Sequence, residues 1–162
     1  MPNGTFRATT YSFNPGSSAS DSITAVIADE SSVTGITKIG NGRTILEAVN
    51  TYSGSTTIGY GYLRISQDSN LGTVPTSTIA NNIILAYPAT LEISETFTLN
   101  EKRGVQVSSR GNPSSYVPYI TFTAGGKTLT YNGVIANGTY GGGSSGGFYL
   151  SGTSSNSTLS LS

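Results

Sequence analysis

Hydrophobic residues recur at every second position in short bursts along this chain. The pairs are Val26 with Ala28, Ile58 against Tyr60 and Tyr62, Leu63 with Ile65, Leu91 with Ile93, and Phe97 with Leu99. Further on come Val105 with Val107, Ile120 with Phe122, Leu129 with Tyr131, Phe148 with Leu150, and Leu159 with Leu161. A period of two puts both members of each pair on one face of a strand. Turn-forming clusters separate the bursts: GNGR at 40–43, YSGS at 52–55, SRGNP at 109–113, AGGK at 124–127, YNG at 131–133 and NGTYGGGSSGG at 137–147. The best helical candidate, TILEAVNTY at 44–52, is short, partly β-branched and closed by Gly54, so it reads as strand then turn.

Many short strands joined by tight turns fit two architectures. A β-sandwich needs seven or more antiparallel strands with hairpin turns. A β-solenoid stacks short parallel strands rung on rung, each coil burying its face by covering the next. Composition favours the second. Among 162 residues there are 25 Ser, 23 Thr, 12 Asn and 21 Gly; such side chains can stack at equivalent corners, and glycine relaxes the backbone demands of sharp turns. Disorder is a poor reading, because 35% of residues are hydrophobic and ten Tyr and five Phe are spaced through β-branched clusters. The expected fold is all-β, a right-handed parallel β-helix over residues 1–162 as a single domain, with the β-sandwich as the alternative.

Internal similarity points the same way. VIA at 26–28 aligns with VIA at 134–136, and GTFRATTYSF at 4–13 echoes ATLEISETFTL at 89–99. These alignments support repetition without fixing its period.

Charge and chemistry narrow the function. Eight basic and eight acidic residues leave no net field to steer nucleic acid or anionic lipid. The chain has no His and no Cys, which removes thiol nucleophiles, disulfides, His/Cys metal sites and His-dependent triads. No apolar run approaches the roughly 18 to 20 residues of a membrane helix, and no targeting segment is visible. The carboxylates Asp21, Asp29, Glu30, Glu47, Asp68, Glu92, Glu95 and Glu101 show no spacing suited to paired acid–base work or to an oxygen cage for calcium. Asp29 and Glu30, if adjacent in a strand, face opposite ways. Lys102, Arg103 and Arg110 gather near Glu101 in what reads as a solvated loop. No cofactor, metal or catalytic residue is expected, and a polysaccharide-acting enzyme is the least favoured alternative.

Residues 35–65, GITKIGNGRTILEAVNTYSGSTTIGYGYLRI, resemble the autotransporter-associated β-strand repeat of bacterial surface passenger proteins. Gly35, Lys38, Gly40 and Gly42 match its opening and Leu46 one of its leucines. Asn50, Thr51, Tyr52 and Gly54 match its NTYxG turn, Thr56 and Ile58 the next strand, and Gly61, Leu63 and Ile65 its closing strand. Residues 89–107 and 125–138 resemble the sections connecting such repeats. The chain departs from the pattern at Arg43 and Thr44, where a hydroxyl replaces an inward leucine, and at Ile45, where an outward residue is usual; either the register shifts or Ile45 offers an outer contact. Tyr60 and Tyr62 are further candidates for outer contacts, on one face with Arg64.

The resemblance implies a parallel β-helix presented at a bacterial cell surface or outside the cell. The function expected is a structural fibre or stalk segment, with an adhesin module binding glycan or protein as the alternative. GTFRAT near the start and STLSLS at the end carry no polar cap, so either the ends stack head to tail as a homo-oligomer or the chain is an excised piece of a longer passenger.

Overall fold

The computed structural model of the chain describes residues 4–7, 10–108, 117–138, 148–152 and 156–161. Every strand pair in it is parallel, so a chain that returns to each sheet must coil. One six-stranded sheet contains β2 (Thr10–Phe13), β5 (Gly35–Lys38), β7 (Thr56–Ile58), β9 (Ile79–Ala86), β12 (Arg103–Ser108) and β15 (Ile135–Asn137). A second contains β3 (Ser20–Ile23), β6 (Arg43–Leu46), β8 (Tyr62–Ile65), β10 (Thr90–Ile93), β13 (Tyr119–Phe122) and β16 (Tyr149–Gly152).

The third face is broken. It begins with β1 (Thr5–Arg7) beside β4 (Val26–Ala28), and resumes with β11 (Phe97–Leu99), β14 (Thr128–Tyr131) and β17 (Thr158–Leu161). Between these pieces it is carried by a single bridge from Ala28 to Thr51 and by a 3-10 turn at Asp68–Leu71. The chain visits the three faces in constant order and forms a right-handed parallel β-helix. The antiparallel sandwich is excluded by the strand directions.

Alternation explains the core. Leu63 and Ile65, Leu91 and Ile93, Val105 and Val107, Ile120 and Phe122, and Leu129 and Tyr131 all point inward and are buried. Register stacks them into files: Leu63 lies beside Leu91, and Leu91 beside Ile120. Burying each such side chain stabilises the fold by about 1.5–3 kcal/mol. The β4 expectation was out of phase, since Ile27 is the fully buried residue of that strand and Val26 is only half-buried. Residues 44–52 are strand to Leu46 and then turn, as their composition implied.

The internal alignments do not mark equivalent positions. Val26–Ala28 lies on the third face, but Ile135 and Ala136 belong to the first sheet. Likewise residues 4–13 run from the third face to the first sheet, whereas 89–99 run from the second sheet to the third face. Structural repetition here is set by register: Arg43 pairs with Tyr62, 19 residues on, and Tyr119 with Tyr149, 30 residues on. A period that varies this much leaves little trace in sequence.

Candidate functional site

The positions singled out at 35–65 form the corners and inner files of successive coils. Asn50 is buried; its Oδ1 accepts from the Ile27 N–H at 2.8 Å and its Nδ2 donates to the Asn70 carbonyl at 2.7 Å. Asn70 repeats the arrangement one coil later. Its Oδ1 accepts from the N–H groups of Ser66 and Gln67 at 2.9 and 3.1 Å, and its Nδ2 donates to the Ala48 carbonyl at 2.9 Å. Two stacked asparagines thus satisfy backbone groups that the turn removes from the strand ladder. Thr51 donates its N–H to the Ile27 carbonyl at 2.9 Å. Tyr52 is fully buried with its hydroxyl 2.7 Å from Thr56 Oγ1, and burial pushes its pKa up despite that bond.

The glycines mark close approach between coils. Gly61 has φ +63°, and a Cβ there would stand 2.4 Å from the Gly40 carbonyl oxygen and 2.5 Å from that of Gly42. A Cβ on Gly54 would meet the Thr34 carbonyl oxygen at 2.4 Å. Both positions need glycine, one for backbone conformation and one for space. Lys38 occupies an inner file beside Ile58 and is buried; its ammonium donates to the carbonyls of Gly40 and of Tyr60, the latter at 3.2 Å. It tethers two successive corners. Burial holds its pKa below the ordinary lysine value, and attraction to Asp21 offsets part of the shift.

The departures resolve in favour of an unshifted register. Thr44 lies inward beside Leu63, Leu46 is buried, and Ile45 is half-buried on the outer side next to Arg64. Among the described residues the buried Thr44 hydroxyl meets no hydrogen-bond partner.

Tyr62 and Arg64 share the outer side of β8, opposite buried Leu63 and Ile65. Tyr60 is exposed too, but it lies at the corner before Gly61 rather than in the strand. Arg43 sits 5.3 Å from the Tyr62 ring centroid and grips Glu92 through Nε at 2.6 Å and Nη2 at 2.9 Å. Arg64 Nε adds a third bond to Glu92 at 3.1 Å. Burial opposes ionisation of Glu92, but the two arginines outweigh it and hold its pKa below the ordinary value, while the Glu92 hydrogen bond raises that of Arg43.

Arg103 corrects the solvated-loop reading. Its guanidinium is fully buried and faces Asp68 with Nε to Oδ1 at 2.9 Å, while it donates to the carbonyls of Leu71 at 2.9 Å and Gly72 at 2.6 Å. No local pattern announces this staple, because Asp68 is 35 residues away. Lys102 instead donates to the Thr76 carbonyl at 3.1 Å, and Arg110 lies outside the described residues. Asp29 is beyond the end of β4, not in a strand with Glu30. Its Oδ1 accepts from the Thr34 and Ser53 N–H groups at 2.8 and 3.1 Å, and its Oδ2 from the Ser53 hydroxyl at 2.5 Å. Those bonds outweigh desolvation and lower its pKa.

At the far end of the stack the inner files come into view. Ile135, Leu150 and Leu161 continue buried files, yet they are 38%, 46% and 57% exposed. The molecule is therefore a β-solenoid module with internally fixed corners, in which the last described coil leaves these three side chains exposed. No family, no curated protein and no solved structure matches the chain. The solenoid architecture agrees with what the 35–65 resemblance implies, and no matched protein ties that segment to autotransporters specifically.

Proposed function

We propose that the chain is a structural segment of a bacterial extracellular surface fibre or stalk, non-enzymatic, in which one copy stacks on the next end to end. The observation that carries this reading is the exposed last coil: Ile135, Leu150 and Leu161 occupy positions that are buried wherever another coil covers them. Among the described residues, strands β15, β16 and β17 also lie at the edges of their sheets. A further parallel coil satisfies both demands at once, and a second copy supplies it through a heterologous contact that does not close. The surface-protein setting draws its support from the motif positions at 35–65.

Electron microscopy and sedimentation at rising concentration test the assembly. The wild-type chain is expected to form rods that lengthen with concentration, and Leu150→Lys, placed on the open face, is expected to stay monomeric with an unchanged β-sheet circular dichroism spectrum. Uniform monomers of the wild-type chain at micromolar concentration would sink the proposal.

A further inference from the structure

The outer side of the second sheet carries a second feature, independent of how the ends assemble. Register places Arg43, Tyr62, Thr90, Tyr119 and Tyr149 in one file along the helix axis. The adjacent file runs through Ile45, Arg64, Glu92 and Thr121. Tyr62 is 41% exposed above the closed core of Leu63 and Ile65, and Tyr149 is 47% exposed on the last described coil. The Tyr119 and Tyr149 rings lie with centroids 5.7 Å apart and tilted 31°, so they present a continuous aromatic surface over two coils.

The charges beside this surface do not balance. Two guanidiniums meet one carboxylate, leaving one positive charge on the face. Arg64 gives only its Nε to Glu92, and among the described residues its two terminal nitrogens meet no hydrogen-bond partner. Glu92 holds both arginines in fixed positions, so the free donors of Arg64 are presented at little further entropic cost. A free, preoriented guanidinium fork matches a carboxylate.

The geometry points to a linear acidic polysaccharide bearing uronate carboxylates, lying along the helix axis over Tyr62, Tyr119 and Tyr149 with a carboxylate on Arg64. Tyrosine offers an apolar ring for the C–H face of a sugar and a hydroxyl for its polar edge. Coils repeat at about 4.8 Å, close to the rise of one hexose along an extended chain, so successive sugars meet successive coils. A globular acidic protein would gain nothing from this one-dimensional match, which favours the polysaccharide.

Calorimetric titration with polygalacturonate, a neutral glucan and poly-glutamate tests the assignment. Polygalacturonate is expected to bind, more weakly as salt rises. Arg64→Gln and Tyr119→Ala are each expected to weaken binding about tenfold. Lys127→Gln serves as the control, because Lys127 pairs with Glu95 beside a different face. Circular dichroism confirms that each variant is folded, and Leu150→Lys, kept monomeric, separates this test from that of end-to-end stacking. Equal binding of the neutral glucan, equal binding of poly-glutamate, or full affinity in Arg64→Gln would each overturn the proposal.

Discussion

Between residues 36 and 62 one circuit of the coil takes 19 or 20 residues, whereas between 90 and 149 it takes 29 or 30. Both circuits stack in parallel with their neighbours and both bury alternate residues of their strands. They differ at the corners. The compact circuit has no slack, so glycine, buried asparagine and a buried lysine must turn the backbone and satisfy it within a few residues. The longer circuits gain their length between β12 and β13 and between β15 and β16, stretches that lie largely outside the described residues. Tight corners demand particular chemistry.

The contrast is broken most forcefully at the junction of the two regions. Arg103→Met leaves Asp68 and the carbonyls of Leu71 and Gly72 without their buried partner, and it is expected to cost about 3–5 kcal/mol in urea denaturation. Arg103→Met with Asp68→Leu should recover part of that loss. A cost near that of an ordinary surface substitution would show that the third face needs no staple where its strands are missing.

Within the compact circuit, Gly61→Ala forces a positive φ on a residue with Cβ and drives that atom against two carbonyl oxygens. We expect a loss of about 2–3 kcal/mol by denaturant titration. Alanine at Gly126, which has a similar positive φ of 72° but open space around it, should cost less, about 1 kcal/mol. Equal losses would mean that conformation alone, not the approach of coils, selects glycine at these corners.

The arginine clamp bridges the two regions from outside. The folded-state pKa of Glu92 lies below the ordinary glutamate value of 4.5, so its stabilisation is complete above that value and disappears as pH falls through the lowered one. Glu92→Gln should lower stability by about 1–2 kcal/mol at pH 7, between the surface and buried limits for ion pairs. The variant should also lose less stability than wild type on acidification below pH 4.5. Parallel pH profiles for the two proteins would contradict the clamp.

Thr44 gives the smallest effect and the opposite sign. Replacing its unpartnered hydroxyl by a methyl in Thr44→Val should raise stability by about 1 kcal/mol, read as a higher denaturation midpoint. A decrease would mean that the hydroxyl has a partner.

These corners explain what could be read from the chain beforehand. Leu63, Ile65, Leu91 and Ile93 announced their inward side by alternation, and residues 35–65 announced their turns by glycine and asparagine. Those two signals fitted a sandwich or a solenoid, and the load of Ser, Thr, Asn and Gly favoured the solenoid. The position of Ile27 did not, because a three-residue strand holds too little alternation to fix its phase. Arg103 and Asp68 were opaque for another reason: a buried ion pair across 35 residues has no local signature, and neighbours Glu101 and Lys102 made Arg103 look solvated. The outer file of Arg43, Tyr62, Tyr119 and Tyr149 depends on unequal circuit lengths, which only the strand register supplies.

End-to-end stacking can be read directly through engineered disulfides, because the chain has no cysteine of its own. Ser22 and Ser151 begin and end the same outer file of the second sheet, on its two edge strands. If one copy continues the next, Ser151 of one stands about 4.8 Å from Ser22 of another, within disulfide range. Mild oxidation of the Ser22→Cys/Ser151→Cys double variant is predicted to give a ladder of covalent multimers, with each single variant stopping at dimer or below. A double variant that yields no ladder beyond dimer would contradict the account.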